Sequence, residues 1–149
     1  MFRPIFTVVL SAGLLFSVAI AIDVSKTNRT DISLTEDDVV PKTQLKKLLP
    51  DSDRRPTSIE DDASGVRYPD EIVYRRILKL DNPTGAIQST STELSVNHGL
   101  INYVSITNGP NSYAVACIED STLGTSRVII HLRVPPNSSS ELMLIVAAH

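Results

Sequence analysis

From residue 65 to the C-terminus, apolar and polar residues alternate with a period of two, and turn residues interrupt the alternation at short intervals. Successive side chains on a strand point to opposite faces of a sheet, so this pattern predicts strands with one buried face. Ile72, Tyr74, Leu78 and Leu80 share one face of the first, and Asp81-Asn82-Pro83-Thr84-Gly85 supplies its turn. A weaker strand around Thr92, Leu94 and Val96 ends at Asn97-His98-Gly99. Residues 100–107 form the next, closed by Asn108-Gly109-Pro110, and residues 112–118 another, with Tyr113, Val115 and Cys117 on one face. The turn Ser121-Thr122-Leu123-Gly124 leads to residues 127–134; Pro135-Pro136-Asn137 closes that strand, and residues 142–148 make the last. About six short strands at such spacing predict an all-β fold, a small antiparallel sandwich or barrel.

The clearest alternation lies in residues 127–134. Val128, Ile130, Leu132 and Val134 make a complete apolar face, and Arg127, Ile129, His131 and Arg133 make the other. This is the pattern of a strand with one solvated side. His131 therefore reads as an exposed strand residue, with no carboxylate assigned to it by any sequence feature.

The N-terminal region is patterned differently. Residues 1–22 read MFRPIFTVVLSAGLLFSVAIAI, with Arg3 as the only charge and the small-x-small step Ala19-Ile20-Ala21 near the end. That layout predicts a secretory signal peptide over 1–21, cleaved after Ala21. An uncleaved anchor is the alternative, since about 18 apolar residues can just cross a bilayer. No second long apolar run follows, so no stable membrane span is expected after signal removal. Residues 22–64 are polar and charged, with Glu36-Asp37-Asp38, Glu60-Asp61-Asp62, Pro50 and Pro56. Leu45, Leu48 and Leu49 could line one side of two helical turns, too short a stretch to hold a helix alone. The composition predicts a disordered polar leader over 22–64, followed by the β domain over 65–149. A chain beginning at Gly65 is accordingly expected to fold by itself.

Composition narrows the chemistry. The three phenylalanines, Phe2, Phe6 and Phe16, all lie in the signal, and the chain has four tyrosines and no tryptophan. The core must come from Val, Ile, Leu and Ala, and there is little aromatic surface for stacking bases or caging cations. Of 14 basic residues, loss of Arg3 leaves 13 against 17 acidic ones, a net charge near −4. With no basic stripe, direct nucleic-acid binding is not expected. The single cysteine, Cys117, makes an internal disulfide framework impossible; in an oxidising compartment it is either buried and inert or pairs with another chain, and its neighbours Ala116 and Ile118 favour burial.

No Gly-x-Ser-x-Gly elbow and no phosphate-binding glycine loop occur. His98, His131 and His149 are scattered and have no zinc-ligand spacing with Cys117. The pairs Asp37-Asp38 and Asp61-Asp62 lack the alternating ligands of a calcium loop. No catalytic, cofactor-binding or metal-binding residue is therefore assigned, and no enzyme is expected. Asn28-Arg29-Thr30 and Asn137-Ser138-Ser139 are N-glycosylation sequons, one in the leader and one in a turn, which makes Asn28 and Asn137 candidate glycan sites. Lys46-Lys47 and Arg54-Arg55 allow a rival reading, a secreted precursor cut at dibasic sites.

One resemblance covers the C-terminal region as a whole. Gly65-Val66-Arg67-Tyr68-Pro69-Asp70-Glu71-Ile72-Val73, the strand Ile101-Asn102-Tyr103-Val104-Ser105-Ile106-Thr107, Gly124 before the Val-Ile-Ile strand, and an apolar last strand occur in that order. The order resembles the insect multiprotein-bridging-factor-two family, small, mostly β and often signal-bearing proteins. Two features depart from the family pattern: the glycine-rich turn before the penultimate strand is reduced to Gly124, and the chain ends Ala147-Ala148-His149. The resemblance implies a non-enzymatic binding protein, secreted and salivary, haemolymph or cuticle associated, with an unidentified protein or extracellular ligand as partner. The family's name implies the alternative, a transcriptional co-activator that bridges other proteins, which the signal peptide opposes.

Overall fold

The computed structural model describes residues 21–44 and 62–149. Nine strands run in chain order: β1 (Ile22–Asp23), β2 (Arg29–Leu34), β3 (Asp62–Gly65), β4 (Ile72–Asn82), β5 (Gln88–Val96), β6 (Ile101–Asn108), β7 (Val115–Ile118), β8 (Arg127–Val134) and β9 (Ser138–Ala148). Three single-turn 3-10 segments are the only helical pieces among the described residues. One sheet has the order β1-β4-β9-β6-β3 and the other β2-β5-β8-β7. The all-β expectation holds. The antiparallel one does not: β1 runs parallel to β4, and β2 runs parallel to β5, so both sheets are mixed and neither closes into a barrel.

Burial follows the period-two pattern where that pattern is strongest. In β8, Val128, Ile130, Leu132 and Val134 are buried while Arg127, His131 and Arg133 are exposed. In β9, Leu142, Leu144, Val146 and Ala148 enter the main core. Leu94 and Val96 from β5, and Leu78 and Leu80 from β4, join the same cluster, so both sheets contribute to one apolar core. Val, Ile, Leu and Ala dominate it, with Tyr74 as its one aromatic residue. On the other face of the first sheet, Val73, Ile145 and Ala147 form a smaller cluster with Val40.

The disordered-leader expectation is overturned for residues 22–44. β2 pairs with β5 over six registered positions, from Arg29 opposite Ser91 to Leu34 opposite Val96. Val24, Ile32 and Leu34 are buried in the main core, and Val40 in the smaller one. The Val40 N–H donates to Val73 O at 2.8 Å, and Val39 bridges Tyr74. Mean polarity hid this, because Ile32 and Leu34 alternate with Asp31 and Ser33, and two inward side chains suffice for a short edge strand. Burial of each such residue contributes about 1.5–3 kcal/mol. The expected boundary at 64/65 also shifts, because residue 65 ends β3, which pairs antiparallel with β6. Gly65 has φ 111°, and a Cβ there would sit 1.9 Å from Asn102 O, so only glycine fits this approach. The remaining stretch of the expected leader, with Leu45, Leu48, Leu49 and both dibasic pairs, lies outside the described residues.

Smaller differences are local. Ile72 is exposed although it begins β4. β9 starts at Ser138, earlier than its apolar run, because serines pair with the end of β4. Asn82 ends β4 fully buried: its Nδ2 shares its two N–H donors among Ala86 O at 2.8 Å, Pro135 O at 2.9 Å and Val134 O at 3.1 Å, and its Oδ1 accepts from the Thr84 N–H at 3.0 Å. It ties the β4–β5 turn to the β8–β9 turn, and saturating its polar atoms removes the penalty of burying them.

Candidate functional site

The outward face of the second sheet carries the densest set of chemically capable side chains. Thr90, Thr92 and Leu94 are buried, so Ser89, Ser91 and Glu93 of β5 point outward. Register sets them in rows. Ser91 lies opposite His131, which lies opposite Cys117; Ser89 lies opposite Arg133, which lies opposite Val115. A solvent-open cavity of about 560 Å³ covers these two rows, with Asn28 at its rim.

His131 is held from both sides. Its Nδ1 is 3.1 Å from Ser91 Oγ and its Nε2 is 3.2 Å from Glu119 Oε2, where Glu119 follows β7. A serine, a histidine and a carboxylate in hydrogen-bonded order are the residue types of nucleophilic catalysis. The surroundings differ from those of an acyl-transfer site. The Ser91 N–H donates to Asn28 O at 3.0 Å in the β2–β5 ladder, so it is not free to stabilise an oxyanion beside its own hydroxyl. The His131 side chain is also about half exposed (53%), which weakens electrostatic interactions in the chain. The two contacts hold the imidazole between β5 and the residue that follows β7.

Charges on this face are nearly all matched. Glu93 takes Arg127 Nη1 at 3.3 Å on one carboxylate oxygen and the Arg29 guanidinium on the other. The Arg29 Nε is 3.2 Å from Asp31 Oδ1, and that hydrogen bond, with the charges of Glu93 and Asp31, raises the Arg29 pKa above its ordinary value. Lys79, on the first sheet, has Glu141 Oε2 at 3.8 Å. Among the described residues Arg133 has no anionic partner, and it opens into the cavity. Exposed cations on the outer strands are legible in the sequence, but which of them is already neutralised depends on neighbours across the sheet.

Cys117 corrects the sequence expectation. It is exposed, on the same face of β7 as Val115, whereas Ala114, Ala116 and Ile118 are buried. Ala116 and Ile118 do point inward, and because side chains alternate along a strand, their burial turns Cys117 outward. The pairing of His131 with Glu119 was also hidden. Twelve residues separate them, and they meet through the β7–β8 register.

The other candidates disperse. His98 is exposed in the β5–β6 turn. His149 closes a terminal clasp: its ring stacks on Tyr68 at 4.8 Å, its Nε2 lies 2.8 Å from Asp70 Oδ2, and its backbone exchanges two 3.0 Å hydrogen bonds with Leu100. Asp38 is engaged by the Thr35 N–H at 2.9 Å and by Arg76 Nη1 at 3.2 Å, so this acid of the Asp37-Asp38 pair serves local structure. Asn28 and Asn137 are both exposed, Asn137 at φ 48° in the turn before β9. Asn137 borders a second open cavity of about 510 Å³, with Asp23, Asp81 and Ser139. Ala21 is exposed just ahead of β1, and residues 1–20 of the expected signal lie outside the described residues, as does Asp61. Among the described residues, no three His, Cys, Asp or Glu side chains are grouped to hold a metal, and no helix is long and apolar enough to cross a membrane. No family model, curated protein or solved structure matches the chain.

Proposed function

We propose that this is a small secreted protein of the insect bridging-factor-two type, which acts by binding and not by catalysis, and that the groove on the second sheet is where it binds. The observation that carries this reading is the groove itself: Ser89, Ser91, His131 and Arg133 stand on paired strands above a packed core, with one guanidinium unmatched. Rigid strands hold such groups in place at little entropic cost on binding. The two sheets, each giving one apolar face to a common core, form a sandwich in this reading.

Secretion is supported by the apolar stretch that ends Ala19-Ile20-Ala21. It is supported also by the exposure of Asn28 and Asn137, since a sequon can be modified only where the transferase reaches it. Direct nucleic-acid binding is disfavoured, because most of the cations near the groove are matched by Glu93 and Asp31. A tagged full-length chain expressed in insect-type cells and followed in medium and nucleus tests the reading. The expected product accumulates in the medium, begins at Ile22 and loses mass when N-glycans are removed. A stable nuclear pool that raises reporter transcription would overturn it in favour of the co-activator.

A further inference from the structure

The groove offers one cation without an anionic partner among the described residues and a pair of hydroxyls, beside apolar surface that includes Val115. Arg133 lies in the Ser89–Arg133–Val115 row and has no anionic partner among the described residues. A guanidinium presents parallel N–H donors that match the two oxygens of a carboxylate. A dianion such as a phosphate is less well served. It would meet one cation only, with the Glu119 carboxylate 3.2 Å beyond the His131 ring. Ser89 and Ser91 lie two residues apart on β5, along the wall beside Arg133. The one ring in the lining is the His131 imidazole, so a flat aromatic acid would find little surface to stack on. A volume of about 560 Å³ admits a ligand of sugar size.

We infer that the groove takes a hydroxylated carboxylate of about the size of a uronic acid, its carboxylate on Arg133 and its hydroxyls on Ser89 and Ser91. This rests on the reading of the protein as a binding protein and names the chemistry of its ligand. The site is open to solvent, so the single ion pair is partly screened and affinity is modest, in roughly the millimolar range.

The test is an amide NMR titration of the non-glycosylated chain from Ile22 to His149 with sodium glucuronate, so that no sugar on Asn28 occupies the rim. Saturable shifts are expected at Ser89, Ser91, His131 and Arg133. Glucose, which lacks the carboxylate, and propionate, which lacks the hydroxyls, should each bind about tenfold more weakly or worse. Arg133→Gln should weaken glucuronate by about tenfold or more, and Arg133→Lys by most of that, because an ammonium cannot grip two oxygens. Both variants should keep the wild-type spectrum away from the groove. Shifts that grow linearly without saturating, equal binding of glucose, or an Arg133→Gln variant that binds like wild type would each overturn the assignment. Secreted protein that fails to bind glucuronate leaves the secreted-binder reading in place; nuclear protein that binds it sinks that reading and not this one.

Discussion

Strands β2 and β8 flank β5 in the same sheet, and they support the core in different ways. β8 is central, antiparallel to both neighbours, and sends four residues inward. β2 is an edge strand, parallel to its one neighbour, and sends in Ile32 and Leu34 alone. Its flanks add Val24 on one side and Val40 on the other. An edge element can thus be polar in composition and still close a core, because what matters is which few side chains turn inward. It also explains why the outer faces differ in use. β2 gives Arg29 to neutralise Glu93 and Asp31 to share that guanidinium, whereas β8 gives the groove Arg133, which has no anionic partner among the described residues.

The comparison can be broken first by removing one side of it. A chain beginning at Gly65 loses Val24, Ile32, Leu34 and Val40 from the two cores. At about 1.5–3 kcal/mol each, their loss approaches the roughly 5–15 kcal/mol that holds a whole domain together. Urea unfolding of that chain, followed by circular dichroism, should show no cooperative transition; a transition like that of the 22–149 chain would mean that β2 is dispensable. Next in size is a matched pair. Ile130→Ala and Leu34→Ala should each cost about 2–5 kcal/mol by thermal unfolding. A negligible effect of Leu34→Ala would return β2 to the status of a loosely attached leader.

Asn82→Ala comes third, at about 1–3 kcal/mol, because the carbonyls of Ala86, Val134 and Pro135 lose their donor. His131→Ala should change stability by no more than about 0.5 kcal/mol despite its two hydrogen bonds, as expected for an exposed position. If it proves the more damaging of His131→Ala and Ile130→Ala, the faces of β8 are reversed. The smallest expected effect is at Asp23, next to the paired end of β1. The Ser25 hydroxyl, then its N–H and the charge of Lys26, hold the carboxyl below its usual range. A depressed carboxyl stabilises the fold above its unfolded pKa, and that contribution is lost as pH falls through the folded value. Asp23→Asn should therefore flatten the acid limb of the stability profile slightly and leave neutral pH nearly unchanged.

The cost of misreading residues 22–44 falls on the processing alternative. If a cut occurred at Lys46-Lys47 or Arg54-Arg55, the N-terminal piece would still carry β2, paired with β5 and holding Ile32 and Leu34 in the core. Such a cut would not free an intact β domain from a passive leader.

The buried faces were legible in the residues alone where alternation is local. In β8 and much of β4 and β5, apolar residues at every second position named the buried side without knowledge of any neighbour, whereas β9 is apolar on both faces and buries both. The core's aliphatic chemistry was legible too, since beyond the apolar N-terminal segment four tyrosines are the only Phe, Tyr or Trp residues. The partners were set by the three-dimensional pairing of strands. That β1 and β2 add in parallel, that Ser91, His131 and Cys117 share a row, that Glu119 reaches His131, and that Arg133 is left unmatched all depend on register between strands distant in sequence. Register is a long-range quantity, and a slip of one residue would turn every one of these side chains to the opposite face.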